Sequence, residues 1–222
     1  MEHENQNEIN YNILKSILSD MIENVRINLS GSIESLEELN VDMANEIIVN
    51  DEIIDKLQKK IERQVINYVT RFQPLDKDLR YIISLVKFAN DLERIGDLAV
   101  NIAKTATKHK GILPSYSFIN IRKMIGYTEK MMKDIIDAYY KRDIEKAKEV
   151  YKMDKKVDNL YKHIRKNIAY EIKEEKDKEK VAFFLDLILV SRYLERAADH
   201  AKNIASEIHY VEVGISLKEV TL

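Results

Sequence analysis

The chain repeats itself, and this internal duplication constrains the fold more than any other feature of the sequence. Residues 91–105 and 193–207 are identical at eight of fifteen positions, where ordinary residue usage gives about one match by chance. Upstream of these segments the offset between the copies is 103 residues instead of 102, which aligns Asp51 with Asp154. The change in offset falls at a turn, where a repeat absorbs a length difference most easily. The sequence therefore predicts two copies of one folding unit.

Each copy is predicted to contain three long helices. The 222 residues include only 5 Gly and 2 Pro, and 33% of them are charged with both signs mixed, a composition that favours helices. Asn40 and Asp143 are N-cap candidates at aligned positions, and Pro74 marks the turn before the third helix. The predicted fold class is all-α, with six long helices in two tandem three-helix bundles. We place the first bundle at residues 1–110, the second at residues 117–212, and a C-terminal tail that is expected to fray at residues 213–222.

The composition excludes several classes of site and location. The chain has no Cys, so it has no disulfide, no thiolate metal site and no cysteine nucleophile. Its net charge of −2 provides no general attraction to nucleic acid. The polar residues 1–10 do not resemble a signal peptide, and the most apolar stretch, Val181–Val190, is too short to span a bilayer and is interrupted by Asp186. We expect a soluble protein with no nucleic-acid partner and no membrane insertion, and the absence of Cys is compatible with a reducing cytoplasm.

Acidic pairs with a spacing of four residues recur at aligned places in both copies. Residues four apart share one face of a helix, although such pairs are common on exposed surfaces. In the third and sixth predicted helices the acids continue an apolar stripe at helical period, as Glu93 and Asp97 do after Ile82, Val86 and Ala89. Carboxylates beside a packing face are costly unless they are paired or bound to metal.

The pairs on consecutive helices are also predicted to lie at the same height. Positions 55 and 93, and positions 51 and 97, are equidistant from the turn at position 74, roughly 30 Å away at 1.5 Å per residue. The corresponding acids of the second copy are centred on the charged run 173–180. The sequence therefore predicts two carboxylate clusters. They are the first quartet (Asp51, Asp55, Glu93 and Asp97) and the second quartet (Asp154, Asp158, Glu195 and Asp199).

Four ionised carboxylates at one level repel one another unless cations neutralise them. Arg94 and Arg196 are adjacent in sequence to the acids, and an all-oxygen donor set suits Mg²⁺, Mn²⁺, Ca²⁺ or iron and tolerates Zn²⁺. Surface charge without metal is the alternative. His200 has no counterpart in the first copy, where Leu98 stands, so we expect it to be structural or exposed. We find no phosphate loop, no nucleophile elbow and no Glu-x-x-His motif, which argues against an enzyme.

Two segments resemble the paired signature of the PhoU family, a family of accessory and regulatory proteins of phosphate transport. They are DLERIGDLAVNIA at Asp91–Ala103 and YLERAADHAKNIA at Tyr193–Ala205. NDEIID at Asn50–Asp55 and QPLDKDLRYII at Gln73–Ile83 are also similar to the first repeat of that family. In two places the chain departs from the pattern: Lys155 and Lys156 stand where acids are common, and Tyr193 aligns with Asp91.

The resemblance implies a fold, a site and a role. It implies two three-helix bundles side by side, often in a homodimer, and metal ions (Fe, Zn, Mn or Mg) held by the acids of the two quartets. It also implies a cytoplasmic protein that restrains phosphate uptake, with the phosphate ABC transporter and a phosphate-sensing kinase as partners. Our leading hypothesis is a non-enzymatic, metal-binding regulatory adaptor. A metal-dependent enzyme that uses the quartets and a purely structural helical scaffold are the alternatives.

Overall fold

The computed structural model describes residues 2–109 and 118–220, with side chains from residue 9 onward. The described residues form six helices, which confirms the predicted all-α fold class. The helices are α1 (Glu2–Glu38), α2 (Val41–Phe72), α3 (Asp76–Lys108), α4 (Ile119–Lys141), α5 (Ile144–Glu174) and α6 (Lys178–Val213). None of them combines the length and the apolar character that crossing a bilayer requires. The predicted loop between the bundles, residues 111–117, lies outside the described residues.

The turn between the first two helices of each unit has the same geometry in both copies. Asn40 and Asp143 each accept a hydrogen bond from the backbone N–H three residues later, at 3.1 and 3.0 Å, so the predicted N-caps are present. The preceding residues, Leu39 and Arg142, adopt left-handed backbone conformations with φ of 51° and 53°. A left-handed residue ends one helix and reverses the chain for the next. The duplication therefore includes the conformation of the turn as well as the helices.

Each unit is a three-helix bundle, and the two bundles lie side by side. Helices α1, α2 and α3 pack together, as do α4, α5 and α6, and the bundles meet through α3 against α6 and α1 against α4. Tyr81 of α3 stacks on Tyr139 of α4, with ring centroids 4.7 Å apart, so apolar packing continues from one bundle into the other. Short turns make α2 antiparallel to α3, and α5 antiparallel to α6. This arrangement brings the acids of facing helices to one height.

The segment after α6 folds back onto that helix. Gly214 has a φ of 85° and its backbone N–H donates to the carbonyl oxygen of Tyr210 at 2.8 Å, which closes the helix. Leu217 is only 1% exposed, and its N–H donates to the Ser206 hydroxyl at 3.1 Å. A buried leucine and a closed helix end thus pack residues 214–220 against α6, and the expectation that the tail frays stays a prediction.

Candidate metal centres

The first quartet lies where α2 and α3 face each other. Asp51 and Asp55 extend from α2, Glu93 and Asp97 extend from α3, and all four residues are half-buried. Burial raises the pKa of the Asp51 carboxyl to about 6, and the negative charges of the other three members add to the rise. The pKa of Glu93 is also raised, first by burial and then by the charge of Asp97. The structure thus brings the four carboxylates close enough to repel one another.

Gly96 of α3 leaves the space that the Asp51 side chain occupies. A Cβ atom at position 96 would lie 2.9 Å from Asp51 Oδ1 and 3.1 Å from Ile54 Cδ1, closer than non-bonded atoms normally approach. Glycine inside a helix costs about 1 kcal/mol relative to alanine. The close approach of α2 to α3 gives a physical reason for glycine here. The aligned residue in the second unit is Ala198, so the two centres differ in their packing.

Among the described residues, the only arginine that pairs with the first quartet is exposed. Arg94 places Nη1 3.0 Å from Asp97 Oδ2 and Nε 3.4 Å from Glu93 Oε2, but 61% of its side chain is exposed. Exposed ion pairs of this kind contribute little, because water screens both charges. The first quartet therefore keeps much of its negative charge uncompensated, and Asp51, the member whose pKa is raised to about 6, has no ion-pair partner in the described residues.

The second quartet lies between α5 and α6 and is more deeply buried. Asp154 is 3% exposed and Glu195 8% exposed, whereas Asp158 and Asp199 are half-buried. The pKa of Asp154 is raised mainly by burial, although the hydrogen bond from Lys202 opposes the rise. Burial likewise raises the pKa of Glu195, and its three acidic neighbours add to the rise against the opposing charge of a nearby arginine. The structure thus places all four predicted residues in one cluster.

Two basic side chains reach the buried members of the second quartet. Lys202 Nζ lies 2.5 Å from Asp154 Oδ2, and Arg192 Nη1 lies 2.5 Å from Glu195 Oε1. The other oxygen of each carboxylate, Asp154 Oδ1 and Glu195 Oε2, is buried and has no hydrogen-bond partner among the described residues. A buried carboxylate oxygen without a partner is costly. These two atoms are therefore available as ligands for a cation.

The quartets have the chemistry of a metal site, but their side chains are not arranged as a ligand set. Over residues 2–109 and 118–220, no three Asp, Glu or His side chains are placed to hold one metal ion. Several carboxylates point instead toward Arg94, Arg192 and Lys202. The all-oxygen donors suit hard cations, and the two unpartnered oxygens fit such a ligand. A shared ion would require the carboxylate side chains to rearrange from these positions.

His200 connects the two units next to the centres. Its Nδ1 lies 2.8 Å from Asp91 Oδ1, across the contact between α6 and α3, and both residues are half-buried. Leu98 and Tyr193 are the aligned residues, so neither member of the pair is repeated. The contact therefore occurs once, at the junction of the bundles, and gives His200 a structural partner.

The sequence interpretation did not identify three residues that shape these centres: Gly96, Arg192 and Lys202. The alignment of the two copies contains a signal for each, because the aligned residues are Ala198, Asn90 and Val100. Each of the three residues lies three positions from a quartet member and therefore on the same helix face: Gly96 from Glu93, Arg192 from Glu195, and Lys202 from Asp199.

Comparison with known proteins agrees with the duplicated architecture. The family model described as "PhoU domain" matches the chain twice, over residues 18–106 and 121–208. A phosphate-specific transport system accessory protein PhoU homolog of Thermotoga maritima is 36% identical over 208 residues, covering 93% of this chain and 89% of the relative. A homolog of the same description from Clostridium acetobutylicum is 40% identical over 182 residues, covering 82% of each. The crystal structure of PhoU from Pseudomonas aeruginosa superposes with a TM-score of 0.86 at 29% identity, over 93% of this chain and 99% of that one.

The fold and these matches define a class of duplicated all-α proteins that are regulatory or accessory and are not enzymes. Each matched segment falls within one of the two bundles, and together they cover most of the chain. The protein belongs to the PhoU family. The resemblance found in the sequence is confirmed, and so is the prediction that the protein is not an enzyme.

Proposed function

We propose that this protein is a cytoplasmic, metal-binding regulatory adaptor that restrains phosphate uptake. Its partners in this role are the phosphate ABC transporter and a phosphate-sensing kinase, and it acts as a homodimer. The observation that supports the metal-binding part is the recurrence of a carboxylate quartet at the same place in both units. The relatives named as phosphate-specific transport accessory proteins support the regulatory part.

Metal binding would relieve the electrostatic cost of the quartets. Burial and like charges disfavour ionisation of Asp51 and of Asp154, which a divalent or trivalent cation would reverse. The ligands would come from the first quartet and the second quartet, with oxygen donors only, which suits Fe, Mn or Mg and tolerates Zn. The bound ion would supply positive charge that ties α2 to α3, and α5 to α6. A metal ion could thus set the spacing of the helices that a partner contacts.

Elemental analysis tests the metal part of the proposal. The metal content is measured for the wild type and for two double variants, Glu93→Ala/Asp97→Ala and Glu195→Ala/Asp199→Ala, all purified without chelator. We expect the wild type to retain metal, and each double variant to lose the metal that its altered quartet would hold. No retained metal, together with no thermal stabilisation by Mn²⁺, Zn²⁺ or Fe³⁺, would overturn metal binding and favour the structural scaffold.

Phosphate uptake after gene deletion tests the regulatory part. We expect cells that lack the protein to continue taking up phosphate at high external phosphate, where wild-type cells reduce uptake. Recovery of the transporter's ATPase subunit with the tagged protein would support a direct contact. Uptake that is unchanged by the deletion at both high and low phosphate would contradict the adaptor role, whatever the metal content.

A further inference from the structure

The two quartets differ in the charge of the residues around them. Val100 of α3, one turn beyond Asp97 and 8% exposed, aligns with Lys202 of α6. Lys202 lies three residues after Asp199 and therefore on the same helix face as that acid. Glu52 of α2 aligns with Lys155 of α5. The second centre thus has ammonium groups where the first has an apolar side chain and an acid.

The ammonium of Lys202 is held within the second quartet. Its Nζ lies 2.5 Å from Asp154 Oδ2 and 3.9 Å from Asp199 Oδ1, and it lies over the ring of Tyr151 at 5.3 Å from the centroid. Only 26% of the Lys202 side chain is exposed, and Asp154 is buried. Removing one partner of such a buried pair is destabilising, because the other charge is left buried and uncompensated.

In the part of the chain that the structure describes, no ammonium forms an equivalent ion pair with the first quartet. Val100 cannot donate, and the charge that pairs with the quartet is the 61% exposed guanidinium of Arg94, which contacts Glu93 and Asp97 but not the more deeply placed Asp51. The charge of Lys104 lowers the pKa of Asp51, but its effect is smaller than the opposite effects of the acidic neighbours. The first quartet is therefore open to a cation, whereas a covalently attached cation already occupies part of the second.

We propose that Lys202 is a built-in countercation of the second quartet, which a metal ion must displace in order to bind there. The inference rests on the metal-binding function proposed above. It has two consequences: Lys202 stabilises the protein when metal is absent, and the two quartets bind metal with unequal affinity, the first more tightly. The unbranched four-carbon stem of lysine allows the displacement, and an open cleft next to it, lined by Arg196, Asn203 and Lys218, provides the space.

The difference in metal affinity between the two quartets is expected to be large enough to measure by titration. Coulomb repulsion between a divalent ion and a partly screened ammonium a few ångströms away corresponds to roughly 10- to 100-fold in affinity. The experiment isolates the second quartet in the full chain by using the Glu93→Ala/Asp97→Ala background. Mn²⁺ is titrated into chelator-treated protein by calorimetry, and the bound ion is counted by electron paramagnetic resonance.

In that background, Lys202→Met should tighten Mn²⁺ binding by roughly 10- to 100-fold. Lys202→Arg keeps the positive charge and should remain weak. Lys218→Met is the matched control, because it removes one positive charge from the same cleft and no contact joins Lys218 Nζ to Asp154 in the described residues. An affinity for Mn²⁺ that Lys202→Met leaves unchanged, or that Lys218→Met raises equally, would overturn the inference while leaving metal binding intact.

Thermal unfolding in chelator tests the countercation without metal. Lys202→Met should lower the melting temperature, because it leaves Asp154 buried without its partner. Lys202→Arg should lower it less, because it keeps the positive charge. Adding Mn²⁺ should then raise the melting temperature of Lys202→Met by more than that of the wild type. An unchanged melting temperature in chelator would overturn the stabilising role. Absence of Mn²⁺ binding to the wild type and to every variant would overturn the proposed function itself.

Discussion

Replacing Asp51 by Asn should stabilise the metal-free protein at neutral pH. The folded protein holds the pKa of Asp51 at about 6, against an ordinary value of 3.8 that applies to the unfolded chain. Between about pH 4 and pH 6 the folded protein therefore keeps a proton that the unfolded chain has released, so the free energy of unfolding falls as pH rises. Above about pH 6 this penalty is complete. Asparagine has nearly the same shape and no charge, so it removes the penalty.

The expected stabilisation by Asp51→Asn follows from how far the pKa of Asp51 is raised in the folded protein. About two pKa units correspond to about 3 kcal/mol if the full effect acts on stability. Asp51 is half-buried, so solvent screening reduces the value, and we expect about 1–1.5 kcal/mol. The largest cause of the raised pKa is burial, and the charges of the other three members of the first quartet follow. The stabilisation should therefore depend on the neighbouring acids and become smaller in the Glu93→Ala/Asp97→Ala background.

Urea unfolding, followed by circular dichroism in the presence of chelator, measures this effect. Asp51→Asn should exceed the wild type at pH 7.5 by the stated amount, and most of that difference should be lost near pH 4. Glu52→Gln is the control, because Glu52 is an exposed neighbour on α2 that pairs with Lys56 at 3.2 Å. This variant should change stability by less than about 0.5 kcal/mol. A variant no more stable than wild type at pH 7.5, or equally stabilised at pH 4, would refute the reasoning.

Two further predictions concern positions outside the charge balance of the first quartet. Gly96→Ala should leave the free energy of unfolding within about 1 kcal/mol of wild type, because better helix propensity offsets the 2.9 Å contact with Asp51 Oδ1. It should still weaken Mn²⁺ binding at the first quartet, and calorimetry that shows unchanged affinity would contradict this. Asp186→Ala should cost about 1–3 kcal/mol at pH 7.5, since it leaves His109 buried without its acceptor. Burial alone would raise the pKa of Asp186, but the hydrogen bonds with Lys108 and His109 outweigh burial, and the net pKa is below its ordinary value. The cost of the substitution should therefore shrink as pH falls through this lowered pKa. A cost in urea unfolding that is equal at pH 7.5 and pH 3 would contradict the ion pair.

Local sequence patterns determined the helices and the repeat. Helix starts at Asn40 and Asp143 were predictable because an N-cap depends on a side chain and the backbone three residues later. The ends near Phe72, Lys108 and Lys141 followed from breakers and turn residues. The common height of the acids was also predictable, since two antiparallel helices joined by a short turn have one register. These features depend on residues close together in the chain.

Tertiary structure alone decided how each quartet is neutralised and how the bundles meet. The ion pair of Lys202 with Asp154 joins residues 48 positions apart, and the contact of His200 with Asp91 joins residues 109 positions apart. Their formation depends on which faces of α3, α5 and α6 the packed core turns toward each other, and helical period does not specify this. The anchoring of Leu217 against α6 has the same cause. The sequence by itself therefore determined where the carboxylates stand, and the packing determined which cations reach them.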